Sequence, residues 1–287
     1  MYFVEGSVMQ PFSVLVSVYK NDAPPFFSCA MDSILNQTLS PAEIVLVRDG
    51  EVPDELQQTI DSYCRKYPEL IRYIPLEANG GLGNALRIGV ERAKYDLIAR
   101  MDSDDVALPN RFELQAKAFE EHPEVGIIGG QITEFIDTEE NIVSRRVVPT
   151  GHEEIVEYCK TRSPMNHMTV MLRKSAVLGA GNYMDLYFAE DYYLWCRMLA
   201  NGCRFLNLSE VLVNVRVGAA MYRRRGGWKY FRSLKTIEKF KSRAKQIGKF
   251  YYLKNVIARF ILCLLIPGRL RGKLYKVVAR EKCAGNK

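Results

Sequence analysis

From Phe12 to Asp102 the chain alternates between short apolar runs and helical periodicity, and this alternation constrains the fold more than any other feature. FSVLVSVY (12–19) is a continuous apolar, β-branched run, the pattern of a strand covered on both faces. PPFFSCAMDSILNQT (24–38) opens on a proline pair and carries Phe27, Met31, Ile34 and Leu35 at helical spacing. AEIVLVRDG (42–50) predicts a second buried strand and DELQQTIDSYCRKY (54–67) a second helix. LIRYIPL (70–76), GLGNALRIGVERAK (81–94) and YDLIARMD (95–102) continue as strand, helix and strand. Short connections between such units predict an α/β fold with a doubly wound, mostly parallel sheet. Ligands of these sheets bind beyond the carboxyl ends of the strands. That rule places Asp22, Asp49, Asn79 and the acids Asp102, Asp104 and Asp105 on one rim.

The second half is less regular. PNRFELQAKAFEEHP (109–123) predicts a helix bounded by prolines, and VGIIGGQITEFID (125–137) a strand bent at Gly129-Gly130. HEEIVEYCKTR reads as a helix, MTVMLRK (168–174) as a strand, and EDYYLWCRMLANG (190–202) as a helix closed by glycine. CRFLNLSEVLVNVRV (203–217) supplies one or two strands. From Trp228 onward the pattern is helical and strongly basic.

Charge divides the chain unevenly. Residues 223–287 hold 20 of the 40 Lys and Arg but only two acids, Glu238 and Glu281, a net of +18; residues 1–222 net −11. An acidic body with a basic tail predicts contact with a polyanion or an anionic membrane. The seven cysteines form no CxxC pair and lie mostly in apolar stretches, which predicts reduced, buried thiols in a reducing compartment. MYFVEGSVMQPF lacks the pattern of a signal peptide. The longest apolar run, VIARFILCLLIP (256–267), is about half of the ~20 residues a membrane span requires. The expected location is cytoplasmic, with any membrane contact peripheral.

Three carboxylates in four positions end the fourth strand, and like charges so close raise one another's pKa, so a positive partner is required. Either a nearby arginine with water or a metal ion could compensate. Mg²⁺ and Mn²⁺ prefer oxygen ligands and commonly sit between one or two carboxylates and substrate phosphates, which suits Asp102 and Asp104 with Ser103 turned away between them. The plainer reading is a solvated acidic turn in which Asp105 caps the next helix. Asp49 of VRDG can bind a ribose hydroxyl or a base N–H, or serve as turn chemistry with Gly50. NGGLGNALRIG (79–89) is glycine-rich where a helix opens, but its spacing matches a dinucleotide fingerprint poorly. Glu190 and Asp191 either cap a helix dipole or supply a general base. His167, one of three histidines, is a structural histidine or an acceptor contact.

Taken together, VSVYKND (16–22), ILNQTLSPAEIVLVRDG (34–50), NGGLGNALRIGVERAKYDLIARMDSDDVALPNRFELQ (79–115) and EDYYLWCRML (190–199) resemble glycosyltransferase family 2, in its bacterial surface-polysaccharide branch. The resemblance implies an inverting GT-A enzyme that moves a hexose from a UDP-sugar to a polyprenyl-diphosphate-linked saccharide, with Mn²⁺ or Mg²⁺ as cofactor. It implies that Asp49 contacts the nucleotide beside Val18, Tyr19 and Asp22, with Asn79, Gly81 and Ser103 completing the donor site. Asp102 and Asp104 are then the D-x-D acids, Asp104 holding the cation, and Asp191 the base supported by Glu190. His167, Arg223, Arg224 and Arg225 are the expected acceptor contacts. Many members carry two acids where this chain has Arg48-Asp49. The domain reading is a catalytic unit over 1–222, its nucleotide half about 10–115 and its acceptor half about 116–222. Residues 223–287 then form a basic amphipathic helical extension at the membrane surface. A nucleotidyltransferase of similar architecture, or a non-enzymatic nucleic-acid binder using the basic tail, are the competing readings; nucleic acid is not an expected partner.

Overall fold

The computed structural model describes residues 2–4, 7–218, 226–267 and 270–271. β1 (Tyr2–Val4) and β2 (Ser7–Met9) form an antiparallel hairpin ahead of the main sheet. The alternating half then runs β3 (Phe12–Val18), α1 (Pro24–Leu35), β4 (Glu43–Arg48), α2 (Asp54–Lys66), β5 (Ile71–Pro75), α3 (Leu82–Arg92) and β6 (Leu97–Met101). These four strands are parallel, as predicted, and lie in the spatial order β5-β4-β3-β6. Successive side chains of β3 go to opposite faces. Val14 and Val16 pack with Phe27, Met31 and Ile34 of α1 and Leu56 and Ile60 of α2. Leu15 packs with Ala85, Leu86 and Val90 of α3.

The remainder comprises β7 (Val106–Ala107), α4 (Arg111–Glu121), β8 (Val125–Phe135), β9 (Ile142–Arg146), α5 (His152–Cys159), β10 (Met171–Arg173), α6 (Lys174–Gly179), α7 (Glu190–Ala200) and β11 (Arg204–Arg216). It extends the same sheet in the order β6-β10-β8-β11-β7, with β9 on β8. β10 is antiparallel to both β6 and β8. The strand predicted over 168–174 is therefore shorter: residues His167–Thr169 form a 3₁₀ turn. Gln115 of α4 is the physical reason, since its amide donates to the carbonyls of Ile128 and Thr169, each at 2.8 Å. A side chain thus takes the carbonyl that a longer ladder would have used. The bend predicted at Gly129-Gly130 falls opposite a bulge in β11, where Asn207 faces Gly129 and Val211 faces Gln131.

Six cysteines are unpaired among the described residues, and Cys29 is exposed rather than buried. No helix among those residues is long and apolar enough to cross a membrane.

The basic tail forms α8 (Gly227–Arg243) and α9 (Lys249–Phe260), followed by a π-helical turn Ile261–Leu265. The two helices behave oppositely. α8 buries Tyr230, Phe231, Leu234 and Ile237 in a core shared with Cys159 of α5 and Tyr192 and Cys196 of α7. α9 turns its polar side inward. Asn255 donates to Glu238 Oε2 at 2.9 Å and to the Lys160 carbonyl at 2.7 Å, and Arg259 reaches the carbonyl of Thr161. Glu238, wholly buried, also pairs with Lys241 at 2.9 Å, and Lys241 in turn donates to the Tyr192 hydroxyl. On its other side α9 exposes Phe250 (76%), Leu253 (58%), Ile257 (50%) and Ile261 (42%), with Leu265 (64%) beyond. The spacing is that of one helical face.

Candidate active site

The rim predicted from the strand ends exists, and buried arginines support it. Asp102 leaves the end of β6 and pairs with Arg100, whose side chain is 3% exposed within the strand. Nε and Nη1 of Arg100 have no hydrogen-bond partner among the described residues. Arg111 of α4 lies entirely buried beneath, donating to the Arg100 carbonyl at 2.6 Å and toward Met101 Sδ. Loss of water and the neighbouring Arg100 lower its pKa to about 9. Arg100 itself is held charged against its burial by Asp102. Part of the compensation for the acid cluster is therefore built into the sheet.

The remaining acids differ in environment. Asp105 is buried; its carboxylate accepts the Arg216 backbone N–H at 2.8 Å, so it ties the end of β11 to the rim instead of capping α4. Its carboxyl is raised well above the usual range by desolvation and by Asp102 and Asp104. Asp104 is exposed at the mouth of the rim but crowded by protein around it. Loss of water, then repulsion from Asp102 and Asp22, raise it to about 6. Such a carboxylate has a standing deficit of positive charge. Among the described residues no three His, Cys, Asp or Glu side chains converge as a closed metal cage. Asp104 and Asp102 nevertheless fit a divalent cation that takes its other ligands from phosphate and water.

The first loop is locked to this cluster. Asp22 Oδ2 accepts the Tyr19 backbone N–H at 3.0 Å and the Ser103 hydroxyl at 2.7 Å. Ser103 thus turns toward Asp22 and not toward Asp102 or Asp104. The Val18 carbonyl accepts the Asp49 N–H at 2.8 Å, linking the β3 and β4 ends.

Asp49 is placed differently from expectation. Its carboxylate accepts Asn79 Nδ2 at 3.0 Å, Gly80 N at 2.7 Å and Gly81 N at 2.9 Å, and the residue is 3% exposed. In this arrangement it orders the 79–81 loop from within, and both its oxygens are engaged there. Gly50 follows at φ +81°, and a Cβ there would lie 2.6 Å from the Asn79 nitrogen, so only glycine fits. The residues predicted at the donor site, Val18, Tyr19, Asp22, Asp49, Asn79, Gly81, Asp102, Ser103 and Asp104, do gather around the ends of β3, β4 and β6.

Glu190 and Asp191 form the first turn of α7, where the helix dipole favours negative charge. α3 approaches closely: a Cβ on Gly83 would meet the Met184 carbonyl at 3.2 Å and Glu190 Cβ at 3.4 Å. Desolvation, then Asp191, raise Glu190 to about 7. Both acids and Asp102 bear on the buried Tyr183, as does Arg100. The two acidic groups therefore face a common interior.

His167 is buried with Nε2 2.9 Å from the Tyr183 hydroxyl and its ring edge-on to Trp195. Desolvation and Arg100 lower its pKa well below the usual value. It is a neutral support beneath Tyr183 and α7, and the expected acceptor contact is corrected accordingly: its ring is enclosed by protein. Arg223, Arg224 and Arg225 lie outside the described residues. Sequence reasoning missed Arg100, Arg111, Tyr183 and Arg216. Arg100 carried a readable signal, a cation two residues before Asp102 and hence on the same strand face.

Residues 13–178 match the family model described as Glycosyl transferase family 2, and residues 97–272 the model for Glycosyl transferase family group 2. The chain is 37% identical over 269 residues to the amylovoran biosynthesis glycosyltransferase AmsE of Erwinia amylovora, covering 92% of this chain and 98% of that one. It is 38% identical over 270 residues to an Escherichia coli UDP-Gal:alpha-D-GlcNAc-diphosphoundecaprenol beta-1,3-galactosyltransferase, covering 94% and 97%. The fold is similar, with a TM-score of 0.61 and 14% identity, to the mannosyltransferase PcManGT from Pyrobaculum calidifontis in complex with GDP-Man and Mn²⁺, over 95% of this chain and 77% of that one.

Proposed function

Because this chain belongs to glycosyl transferase family 2 and is a glycosyltransferase, we propose that it moves a hexose from a UDP-sugar to a hydroxyl of a polyprenyl-diphosphate-linked saccharide, with inversion, in surface-polysaccharide synthesis. Family membership removes the nucleotidyltransferase and nucleic-acid-binding readings. The observation that carries the proposal is the placement of two acidic groups, Asp102 with Asp104 at the end of β6 and Glu190 with Asp191 at the start of α7, with Arg100 paired to Asp102 and electrostatically close to Glu190 and Tyr183. The donor and acceptor named for the Escherichia coli relative support the substrate classes.

In this reading the acceptor hydroxyl attacks the anomeric carbon on the face opposite the nucleoside diphosphate. A new C–O bond forms, the bond to the diphosphate breaks, and the hydroxyl proton passes to Asp191. Glu190 stands beside it in the same helical turn, its own carboxyl raised to about 7 by desolvation and by Asp191. Asp104, with Asp102, holds Mn²⁺ or Mg²⁺, which supplies neutralisation of the charge on the departing diphosphate when bound. Arg100 fixes Asp102 and adds positive potential from within the sheet. Asp49 orders the 79–81 loop, and Asp22 the 19–22 loop, so that both present backbone groups to the donor.

The tail gives the enzyme its place at an anionic membrane surface. α9 exposes Phe250, Leu253, Ile257 and Ile261 on one face, with exposed Lys249 and Lys254 beside them. An apolar face flanked by lysines suits the boundary between headgroups and acyl chains of an anionic leaflet. The decisive experiment offers UDP-Gal, UDP-Glc, UDP-GlcNAc and GDP-Man with Mn²⁺ and an alkyl-linked α-GlcNAc diphosphate, reading product by mass and anomeric NMR coupling. A β-linked product from an α-linked UDP-sugar is expected. A retained anomer, or no transfer and no hydrolysis of any donor, would sink the proposal.

A further inference from the structure

A groove of about 490 Å³ lies between the 185–188 loop and the first turns of α8, apart from the rim of acids. Asp185, Tyr187, Trp228, Lys229, Arg232 and Thr236 line it. The loop runs straight into Glu190 and Asp191, so the groove opens beside the start of α7. Its aromatic side chains are partly bare: Trp228 is 57% exposed and Tyr187 36%. The loop is nonetheless held in shape. Phe188 adopts φ +51°, a conformation that non-glycine residues rarely take, and the Ala189 N–H is bonded to the Leu186 carbonyl at 2.9 Å. Lys229 Nζ sits 4.3 Å from the Tyr187 ring centroid, joining the loop to α8.

Flat aromatic faces beside two exposed cations recognise a composite ligand. A pyranose ring offers an apolar C–H face that covers an aromatic ring, and a diphosphate pairs with Lys and Arg. Sugar diphosphate is the chemistry of both the donor and a lipid-linked acceptor. The groove's position on the Asp191 side, on α8 and not at the β3 and β4 ends, favours the acceptor. We propose that this groove is the acceptor subsite: Trp228 covers the sugar face, and Lys229, steadied by the Tyr187 ring, and Arg232 pair with its diphosphate, presenting a ring hydroxyl to Asp191. This rests on the reading of Asp191 as the base.

The chain has two tryptophans, and Trp195 is fully buried, so a ligand-dependent change in emission reports Trp228. The probe is α-GlcNAc diphosphate on a short alkyl chain. It is expected to quench emission of the wild-type protein but not of Trp228→Phe, and UDP with Mn²⁺, which has no pyranose to cover the ring, is expected to leave emission unchanged. Trp228→Ala should raise the acceptor KM at least tenfold and leave the donor KM within twofold, with Trp228→Phe restoring most of the affinity. A Lys229→Gln, Arg232→Gln double variant should weaken the diphosphate probe at least tenfold while hardly changing binding of the alkyl α-GlcNAc glycoside. Transfer with an unchanged acceptor KM in these variants overturns the subsite while leaving the base intact. Quenching by UDP alone overturns it in favour of a nucleotide site. Probe binding without turnover supports the groove and counts against the reaction. Neither binding nor turnover overturns both.

Discussion

The guanidinium of Arg100 lies against the carboxylate of Asp102, two residues along β6 on the same strand face. The pair is the protein's own share of the charge balance at the rim. Arg100→Gln leaves Asp102 and the buried Asp105 without it; Asp102 is 29% exposed, so the loss should fall below the figure for a fully buried pair, at about 1–3 kcal/mol. Urea unfolding should show that loss, with part of it recovered in the Arg100→Gln, Asp102→Asn double variant. A change below ~1 kcal/mol would show that solvent screens the cluster instead.

Asp104 is exposed and carries no fold contact comparable to those of Asp105 or Asp49. Asp104→Asn should therefore remain folded, with transfer lost to near background. Chelation with EDTA should abolish transfer by the wild-type enzyme, and Mn²⁺ or Mg²⁺ should restore it. Full activity in excess chelator refutes the cation site.

Replacing Asp191 by Asn keeps the side-chain volume and removes the proton acceptor. Donor affinity should persist while turnover falls by ~10² to 10⁴. Turnover within a few-fold of the wild type would reduce Asp191 to a helix-dipole partner.

Glu190 and Asp104 titrate near pH 7 and 6, above their ordinary values of 4.5 and 3.8. A cation on Asp104 holds that carboxyl ionised to lower pH, so kcat/KM of the metal-loaded enzyme should fall as pH drops through the Glu190 range near 7. Stability runs the other way. A carboxyl with a raised folded pKa contributes stability that is full below its unfolded value and lost as pH rises through the folded one. The metal-free protein should thus lose stability as pH rises from about 4 to about 7. Glu190→Gln should be more stable than the wild type at pH 8 by roughly 1–3 kcal/mol, and indistinguishable at pH 4. Differential scanning calorimetry at both values checks the sign.

The two tail helices should respond oppositely to mutation. Leu234→Ala opens a cavity under α8 and should cost about 2–4 kcal/mol. Leu253→Glu and Ile257→Glu on the bare face of α9 should leave stability nearly unchanged but reduce co-sedimentation with phosphatidylserine vesicles several-fold. Retained vesicle binding by that pair excludes α9 as the insertion face.

The parallel half was legible because its strands are covered on both faces and read as unbroken apolar runs bounded by proline, glycine and acids. The acids after Met101 could be placed on a rim by the strand-end rule alone. Side-chain direction could not. Asp49 reads identically whether it faces a ligand or the backbone of residues 79–81, and the sequence does not tell that three donors converge on it. β9 escaped because IVSRR has neither alternation nor cover, and its pairing depends on β8 being already in place. The 3₁₀ turn before β10 depends on Gln115, more than fifty residues earlier in the chain. Leu234 and Ile257 carry the same helical periodicity, yet one is packed and the other bare. What separates them is the burial of Glu238, which draws the polar side of α9 inward.

That inward clamp turns the tail into a gauge. Glu238, Lys241, Asn255 and Arg259 join α9 to the carbonyls that end α5 and to Tyr192 on α7, so the bare face and the first turn of α7 belong to one rigid frame. With α9 seated in a leaflet, Asp191 hangs at a fixed height above it. The enzyme would then measure distance from the lipid: a sugar borne directly on the diphosphate reaches the reacting centre, and the end of a longer glycan overshoots it. Chain length, and not only sugar identity, becomes a criterion of selection.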